Sequence, residues 1–310
     1  MKTFSIAIHG GAGTLVKGMM TAEKEVAYKS ALEKALNVGY EILEKGGSAM
    51  DAVEKAVRAL EDSPLFNAGK GSVFTANGTH EMDASIMDGK SLKAGAVSLI
   101  TGIKNPVTLA RDVMEKSEHV FLAGEGALEF AKTHNHEMAD PTYFYDELRH
   151  QQWIEIRDTD NFQLDHAKKK DSKFGTVGAV ACDQDGNIAA ATSTGGMTNK
   201  KFGRVGDSPM IGAGTYANNE TCAISCTGSG EYFIRGVVAY DVASIIEHTG
   251  RSLEDAAQDV IMNRVAKLGG DGGLIAINTK GEISMPFNTE GMYRAFKKSD
   301  GEQAVLIYGA

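Results

Sequence analysis

A polar, charged stretch at residues 157–173 divides this chain into two halves of unlike periodicity, and that asymmetry constrains the fold more than any other feature. Before it, apolar residues recur mainly at helical spacing. One helix is expected from about Thr21 to Glu44, with Tyr28, Leu32, Leu36 and Leu43 inward and Gly46-Gly47 as its stop. Ser48 then caps a second helix, with Asp51 three residues on and Val53, Val57 and Leu60 as its stripe. Helical patterns recur near 106–116 and 123–133. Strands are expected at Phe4–Ile8, near Met82–Met87 and at Ala96–Ile100, the first running into a glycine loop, His9-Gly10-Gly11-Ala12-Gly13.

After the polar stretch, hairpins dominate. Thr176–Asp183 and Asn187–Thr194 flank Gln184-Asp185-Gly186, a strong turn signal. A strand at Thr221–Cys226, a second hairpin around Lys280-Gly281 and a closing strand at Ala304–Tyr308 follow. Two helices are expected there, one after Gly230 with Phe233, Val237, Tyr240 and Ile245 on one side, the other over Ser252–Leu268. Helices gathered early and antiparallel hairpins late favour an α+β fold over a doubly wound parallel sheet. The polar stretch itself reads as a flexible linker.

Composition removes several function classes. The 32 Lys and Arg against 41 Asp and Glu leave a charge of −9, and no basic block exceeds Lys168-Lys169-Lys170, so a nucleic-acid partner is not expected. Three cysteines are too few for a disulfide framework. Cys222 and Cys226 would share one strand face and read as small buried thiols. No apolar run approaches the roughly 18 residues of a membrane span. No signal peptide is evident either, so a reducing cytoplasm is the expected location.

Common catalytic signatures fail. Gly89-Lys90-Ser91 imitates a P-loop ending, but Ala84 stands where the opening Gly belongs. Gly228-Ser229-Gly230 has Phe233 in place of the third Gly of a dinucleotide fingerprint. Glu81, Asp83 and Asp88 lack EF-hand spacing and suit a structural role. The step Gly175-Thr176 is different, because a polar linker ends there and an apolar strand begins. Were the chain cut before Thr176, that residue would own both a hydroxyl and an α-amine. An α-amine with a pKa of about 7.7–8.0 can take the hydroxyl proton near neutrality and activate its own nucleophile. Taken alone, a Gly-Thr step at a strand start is commonplace.

Its surroundings are not commonplace. The run Gly175-Thr176-Val177-Gly178-Ala179-Val180-Ala181 resembles the cleavage site of plant-type asparaginases and isoaspartyl peptidases, which are N-terminal nucleophile hydrolases. The His9–Gly13 run, Asn67-Ala68-Gly69 with Gly71, Met82-Asp83-Ala84-Ser85 and Thr192-Ser193-Thr194-Gly195-Gly196 are also similar to that family's motifs. So are Gly203-Arg204-Val205-Gly206-Asp207-Ser208-Pro209, Gly212-Ala213-Gly214 and Thr227-Gly228-Ser229-Gly230-Glu231, and all stand in family order.

The resemblance implies a four-layer αββα sandwich formed by one 310-residue domain. It also implies autoproteolysis into residues 1–175 and 176–310, and hydrolysis of L-asparagine and β-aspartyl dipeptides to L-aspartate. By position, Thr176 corresponds to the nucleophile and Thr194 to the hydroxyl that tunes it. Arg204 and Asp207 correspond to the clamp on the substrate's carboxylate and amine, and the chemistry agrees, since a guanidinium fork suits a carboxylate. Thr227 and Gly228 correspond to oxyanion donors, Gly230 to a carbonyl contact with the amine, and Asn67 to an auxiliary polar group. Backbone carbonyls of the Leu60–Asn67 loop, among them those of Leu60, Glu61 and Phe66, correspond to a sodium site. No organic cofactor is implied, and the assembly implied is a dimer of αβ pairs acting on a small-molecule substrate.

Phe174 stands where some relatives carry His, which bears on cleavage, and Ser229 occupies a variable position that bears on substrate preference. Two other functions fit the same residues: a glycosylasparaginase-like hydrolase, and an uncleaved, non-enzymatic aspartate-binding protein.

Overall fold

Ser5–Gly13 forms strand β1, buried along its whole length. This computed structural model describes residues 2–158 and 175–309, so Phe174 and all of the expected linker except Arg157 and Asp158 lie outside the described residues. The glycines expected to make a loop after Ile8 instead continue β1, through a bulge between His9 and Gly11. Gly11 takes φ +111, which favours glycine, and a side chain on Gly10 would collide with the Phe66 ring.

Helices α1 (Ala22–Glu44) and α2 (Ala49–Glu61) begin where Thr21 and Ser48 accept hydrogen bonds from the N–H groups of Lys24 and Asp51. Then come β2 (Met82–Asp88), β3 (Ala94–Ile100), α3 (Pro106–Lys116), β4 (Phe121–Ala123), α4 (Gly124–Thr133), α5 (Pro141–Phe144) and α6 (Glu147–Ile156). The second half supplies β5 (Val177–Cys182), β6 (Ile188–Thr194), β7 (Thr215–Ala217), β8 (Ala223–Gly228), α7 (Gly230–Gly236), α8 (Val238–Thr249) and α9 (Leu253–Asp259). A π-helical segment, Val260–Val265, and a last turn, Ala266–Leu268, extend α9. Strands β9 (Gly272–Ile277), β10 (Ile283–Ser284), β11 (Gly291–Lys298) and β12 (Gln303–Tyr308) close the chain.

Among the described residues these strands form two sheets, giving a mixed α+β fold. One has the order β12-β11-β1-β5-β6-β2-β3-β4, antiparallel except for β3 with β4, and the other β10-β9-β8-β7. Alternation along β5 sorts its side chains. Ala179 and Ala181 join Leu32, Leu36, Val53 and Val57 of α1 and α2 in one core. Val180 and Cys182 face the other way and meet Ala223, Ile275 and Ile277 of the smaller sheet. Beyond that sheet, Val238, Val242, Ala256 and Val260 cover Ile224, Cys226 and Leu274. Cys222 and Cys226 both belong to this last core, as expected for one face, and burial pushes the Cys222 thiol up to about 12. None of the helices in the described residues is long and apolar enough to cross a membrane.

The helix expected to run on from Gly230 is broken. Val237 sits at φ +47 between α7 and α8, so Phe233 and Ile245 are buried while Val237 and Tyr240 face solvent. The apolar period of 3–4 residues persisted across a break that carries no Pro and only Gly236 as a signal. A β-branched residue in the left-handed region costs about 1–2 kcal/mol. Val237→Gly is therefore expected to stabilise the protein by about 1 kcal/mol, read as a higher urea midpoint at unchanged m-value.

Candidate active site

The pairing of β5 with β6 sets Val177 opposite Ser193, so the residue before β5 and the last residue of β6 lie side by side. Thr176 Oγ1 accordingly donates to Thr194 Oγ1 at 3.2 Å, and Thr194 Oγ1 accepts the Gly196 N–H at 3.0 Å. Ser208 Oγ lies 3.4 Å from Thr176 Oγ1. Gly175, Thr176, Thr194, Arg204, Asp207 and Gly228 line one cleft. Thr227 stands behind it, buried, with its hydroxyl 3.6 Å from the position a Cβ on Gly175 would take. The Thr227 hydroxyl thus lies close to Gly175.

Arg204 is not idle in this arrangement. Its Nε and Nη2 donate to the two carboxylate oxygens of Glu231 at 2.9 and 3.0 Å, a bidentate pair. Glu231 is in the first turn of α7, where its charge also favours the helix dipole. Asp207 is buried, and its Oδ2 has no hydrogen-bond partner among the described residues. Burial pushes its carboxyl up to about 7 against the opposing pull of Arg204. A buried carboxylate oxygen without a donor is costly unless a cationic donor arrives.

Gly230 opens α7 next to both groups. A Cβ there would stand 2.8 Å from Asp207 Oδ1 and 2.9 Å from Arg204 Nη2. Gly230→Ala is expected to displace the pair and lower kcat/KM by about 10²-fold, mainly through KM, in steady-state assays on L-asparagine.

Two expected positions fall elsewhere. Asn67 does not line the cleft: its Nδ2 donates to the Gly196 carbonyl at 2.7 Å and its Oδ1 accepts the Val73 N–H at 3.1 Å. In this position it braces the Gly195-Gly196 turn beside Thr194. Ser229, in the position tied to substrate preference, points away from the cleft, and its hydroxyl bonds Asp271. Two of the acids serve structure, as expected: Asp83 accepts the Leu99 N–H at 3.0 Å and Asp88 the Ser91 N–H at 3.1 Å.

No cluster of three His, Cys, Asp or Glu that could hold a metal occurs among the described residues. The Leu60–Asn67 loop offers oxygen instead. The Glu61 carbonyl lies 2.5 Å from a Cβ position on Gly69, and the Pro64 and Phe66 carbonyls crowd the Cβ position of Gly71. Carbonyls turned inward on one tight loop suit a hard cation. The Leu60 carbonyl already accepts the Ser63 N–H at 3.2 Å and the Phe66 carbonyl the Ala68 N–H at 2.9 Å. The Glu61 side chain turns to the other side, accepting from Ser193 Oγ and the Val107 N–H, with burial pushing it up to about 8.

Sequence reasoning missed Ser208 and the Arg204–Glu231 pair, although both lie inside motifs it had singled out. The only available signal was adjacency to Asp207 and Gly230.

Comparison with known proteins agrees with this geometry. The family profile described as asparaginase matches residues 1–307. The chain is 53% identical over 306 residues to the isoaspartyl peptidase of Escherichia coli, covering 98% of this chain and 95% of that protein. It is 52% identical to the isoaspartyl peptidase of Salmonella typhimurium, covering 98% of each chain. To the plant-type L-asparaginase of Thermococcus kodakarensis it is 44% identical over 305 residues, covering 95% of this chain and 96% of that protein. With matched residues running through every element that builds the cleft, this chain belongs to the asparaginase family that these relatives represent.

Proposed function

We propose that this chain is a self-processing amidohydrolase that cleaves the side-chain amide of L-asparagine and the β-aspartyl bond of isoaspartyl dipeptides, releasing L-aspartate. Hydrolase relatives at 42–53% identity support the activity. The observation that carries the mechanism is the Thr176 hydroxyl, bonded to Thr194, in a cleft it shares with Arg204 and Asp207.

In the intact chain, Thr176 Oγ1 attacks the Gly175 carbonyl, and the Thr227 hydroxyl and Gly228 N–H receive the negative charge on its oxygen. The amide nitrogen takes a proton and leaves as the Thr176 amine, forming an ester. Water hydrolyses that ester to a Gly175 carboxylate and restores the hydroxyl. In the mature enzyme the amine takes the hydroxyl proton while Oγ1 attacks the substrate's side-chain carbonyl. Ammonia or an amino acid leaves with that proton, and water releases aspartate from the β-aspartyl ester. Asp207 Oδ2 takes the substrate ammonium, and Arg204, steadied by Glu231, takes the α-carboxylate.

Helices on the outer faces of two facing sheets support the four-layer αββα arrangement for the whole chain. The same proposal includes a single domain cut into residues 1–175 and 176–310, a sodium ion on the carbonyls of the 60–67 loop, no organic cofactor, a cytoplasmic location and a dimer of αβ pairs.

Intact-mass measurement of the purified chain, joined to turnover of L-asparagine, β-aspartyl-leucine and a glycosylated asparagine, tests this function. Two fragments meeting at 175/176 and turnover of the first two substrates are expected. One uncut chain that binds aspartate without turnover would establish a binding protein instead, and preference for the glycosylated substrate a glycosylasparaginase.

A further inference from the structure

Between the two sheets runs a row of hydroxyls that the reaction scheme leaves unused. His9 Nε2 lies 2.9 Å from Ser225 Oγ, which lies 2.7 Å from Thr192 Oγ1. Thr215 Oγ1 donates to Thr192 Oγ1 at 2.5 Å and stands 2.8 Å from Ser85 Oγ. Ser85 ends the row, its one hydroxyl proton divided between Thr215 Oγ1 and the Ser208 carbonyl 2.6 Å away. His9, Ser85, Thr192, Thr215 and Ser225 are all completely buried. They come from β1, β2, β6, β7 and β8, so the row stitches the larger sheet to the smaller one.

Their neighbours in the same intersheet layer are Ala190, Ala217 and Ala223, showing that small apolar residues fit there. Polar groups in such a layer cost stability unless every one is satisfied. Gly178 belongs to the same construction, because a side chain there would collide with both His9 Nε2 and Ser225 Oγ. The motif glycine two residues after Thr176 thus makes room for the row.

One end of the row reaches Thr176, and the other lies beside the start of β5. Ser208, whose carbonyl Ser85 holds, puts its Oγ 3.4 Å from Thr176 Oγ1. At the other end the His9 ring gives Nε2 to Ser225, and strand pairing sets His9 opposite Gly178, two residues beyond Thr176, while its buried Nδ1 has no hydrogen-bond partner among the described residues. A neutral imidazole offers one donor and one acceptor nitrogen. Its tautomer therefore orients the hydroxyl next to it and constrains those beyond.

We propose that His9 and the Ser225–Thr192–Thr215–Ser85 row are positioning residues for the nucleophile, bracing the Ser208 loop against the start of β5 and so aiming Oγ1. This rests on the assignment of Thr176 as the nucleophile. None of these five side chains meets a reacting atom; they act through Thr176 and Ser208, as supporting groups do around precise sites.

Thr192→Val removes the middle hydroxyl at nearly constant shape, and Thr192→Ser keeps it. Steady-state kinetics on L-asparagine with cut enzyme, beside thermal melts, are the test. Thr192→Val is expected to lower kcat at least tenfold with KM within twofold, and Thr192→Ser to stay within threefold of the parent. Ser225→Ala is expected to match Thr192→Val, and the double variant to be no worse than the poorer single one, because the row acts as a unit. A folded Thr192→Val enzyme with kcat within twofold of the parent, or losses that add in the double variant, overturns the proposal. Should Thr192→Val fail to fold or mature, Ser225→Ala decides by the same thresholds. A parent that is itself uncut and inactive would instead defeat the assignment of Thr176.

Discussion

Thr176→Ala is expected to leave the purified protein as one uncut 33.0 kDa chain and to lower turnover of L-asparagine by at least about 10⁴-fold. On the proposed mechanism one hydroxyl attacks first Gly175 and later the substrate, so its removal should abolish both reactions at once. The loss should not come from unfolding. The Thr176 side chain gives up bonds to Thr194 and Ser208 only, and its burial changes by one hydroxyl and one methyl group. Thr176→Ser separates the two effects, because it keeps the oxygen and should still mature and turn over substrate. Denaturing electrophoresis, N-terminal sequencing and activity on one preparation provide the readouts. Cleavage of the alanine variant, or turnover by it, would overturn the mechanism.

The second large effect concerns Asp207. Burial holds its carboxyl at about 7 in the empty cleft, well above the usual carboxylate range. A substrate ammonium against the unpartnered Oδ2 favours the charged form, so binding lowers that pKa and expels a proton wherever Asp207 was protonated. Affinity for L-aspartate is therefore expected to rise about tenfold per pH unit below 7 and to flatten above it. Titration calorimetry at pH 6 in two buffers of different ionisation enthalpy should show proton release that Asp207→Asn abolishes. That variant should also bind at least about 10²-fold more weakly, through loss of a buried charge pair. The same shift has a consequence for stability. A carboxyl whose pKa is raised by folding takes up protons in the native state, so its contribution falls as pH rises from about 4 to 7 and is constant above. An affinity that ignores pH between 5.5 and 7.5 would contradict this assignment.

Much of this was legible in the residues, for physical reasons. Helices α1 and α2 carried caps and an apolar stripe, and the β5–β6 hairpin carried Asp185-Gly186 between small apolar runs. These are local signals. What escaped was set by contacts distant in sequence. Glycine in His9–Gly13 looked like a loop, yet Gly10 is there to let the Phe66 ring approach a strand. Strand β11 was missed because its register with β1 and β12, not its own period, fixes it, and it buries Arg294 beside Tyr293. In the cleft, the family resemblance pointed to Thr176, Thr194, Arg204 and Asp207, but no spacing revealed that Glu231 already holds Arg204. Asn67, singled out by the resemblance as an auxiliary polar group, lies one residue layer behind the cleft on the Gly196 carbonyl, a placement no spacing in the sequence conveys.

The order of the larger sheet, in which β1 lies between β11 and β5 and β6 lies between β5 and β2, bears on what severing the backbone means. Neither product would own a complete sheet: the N-terminal piece would lose the strands that cover both edges of β1, and the C-terminal piece would lose the one that joins β11 to β5. The two pieces would thus remain interlocked, like the fingers of clasped hands, with no natural seam for dissociation. Their melting should be a single cooperative event, and neither fragment made alone should acquire a native fold.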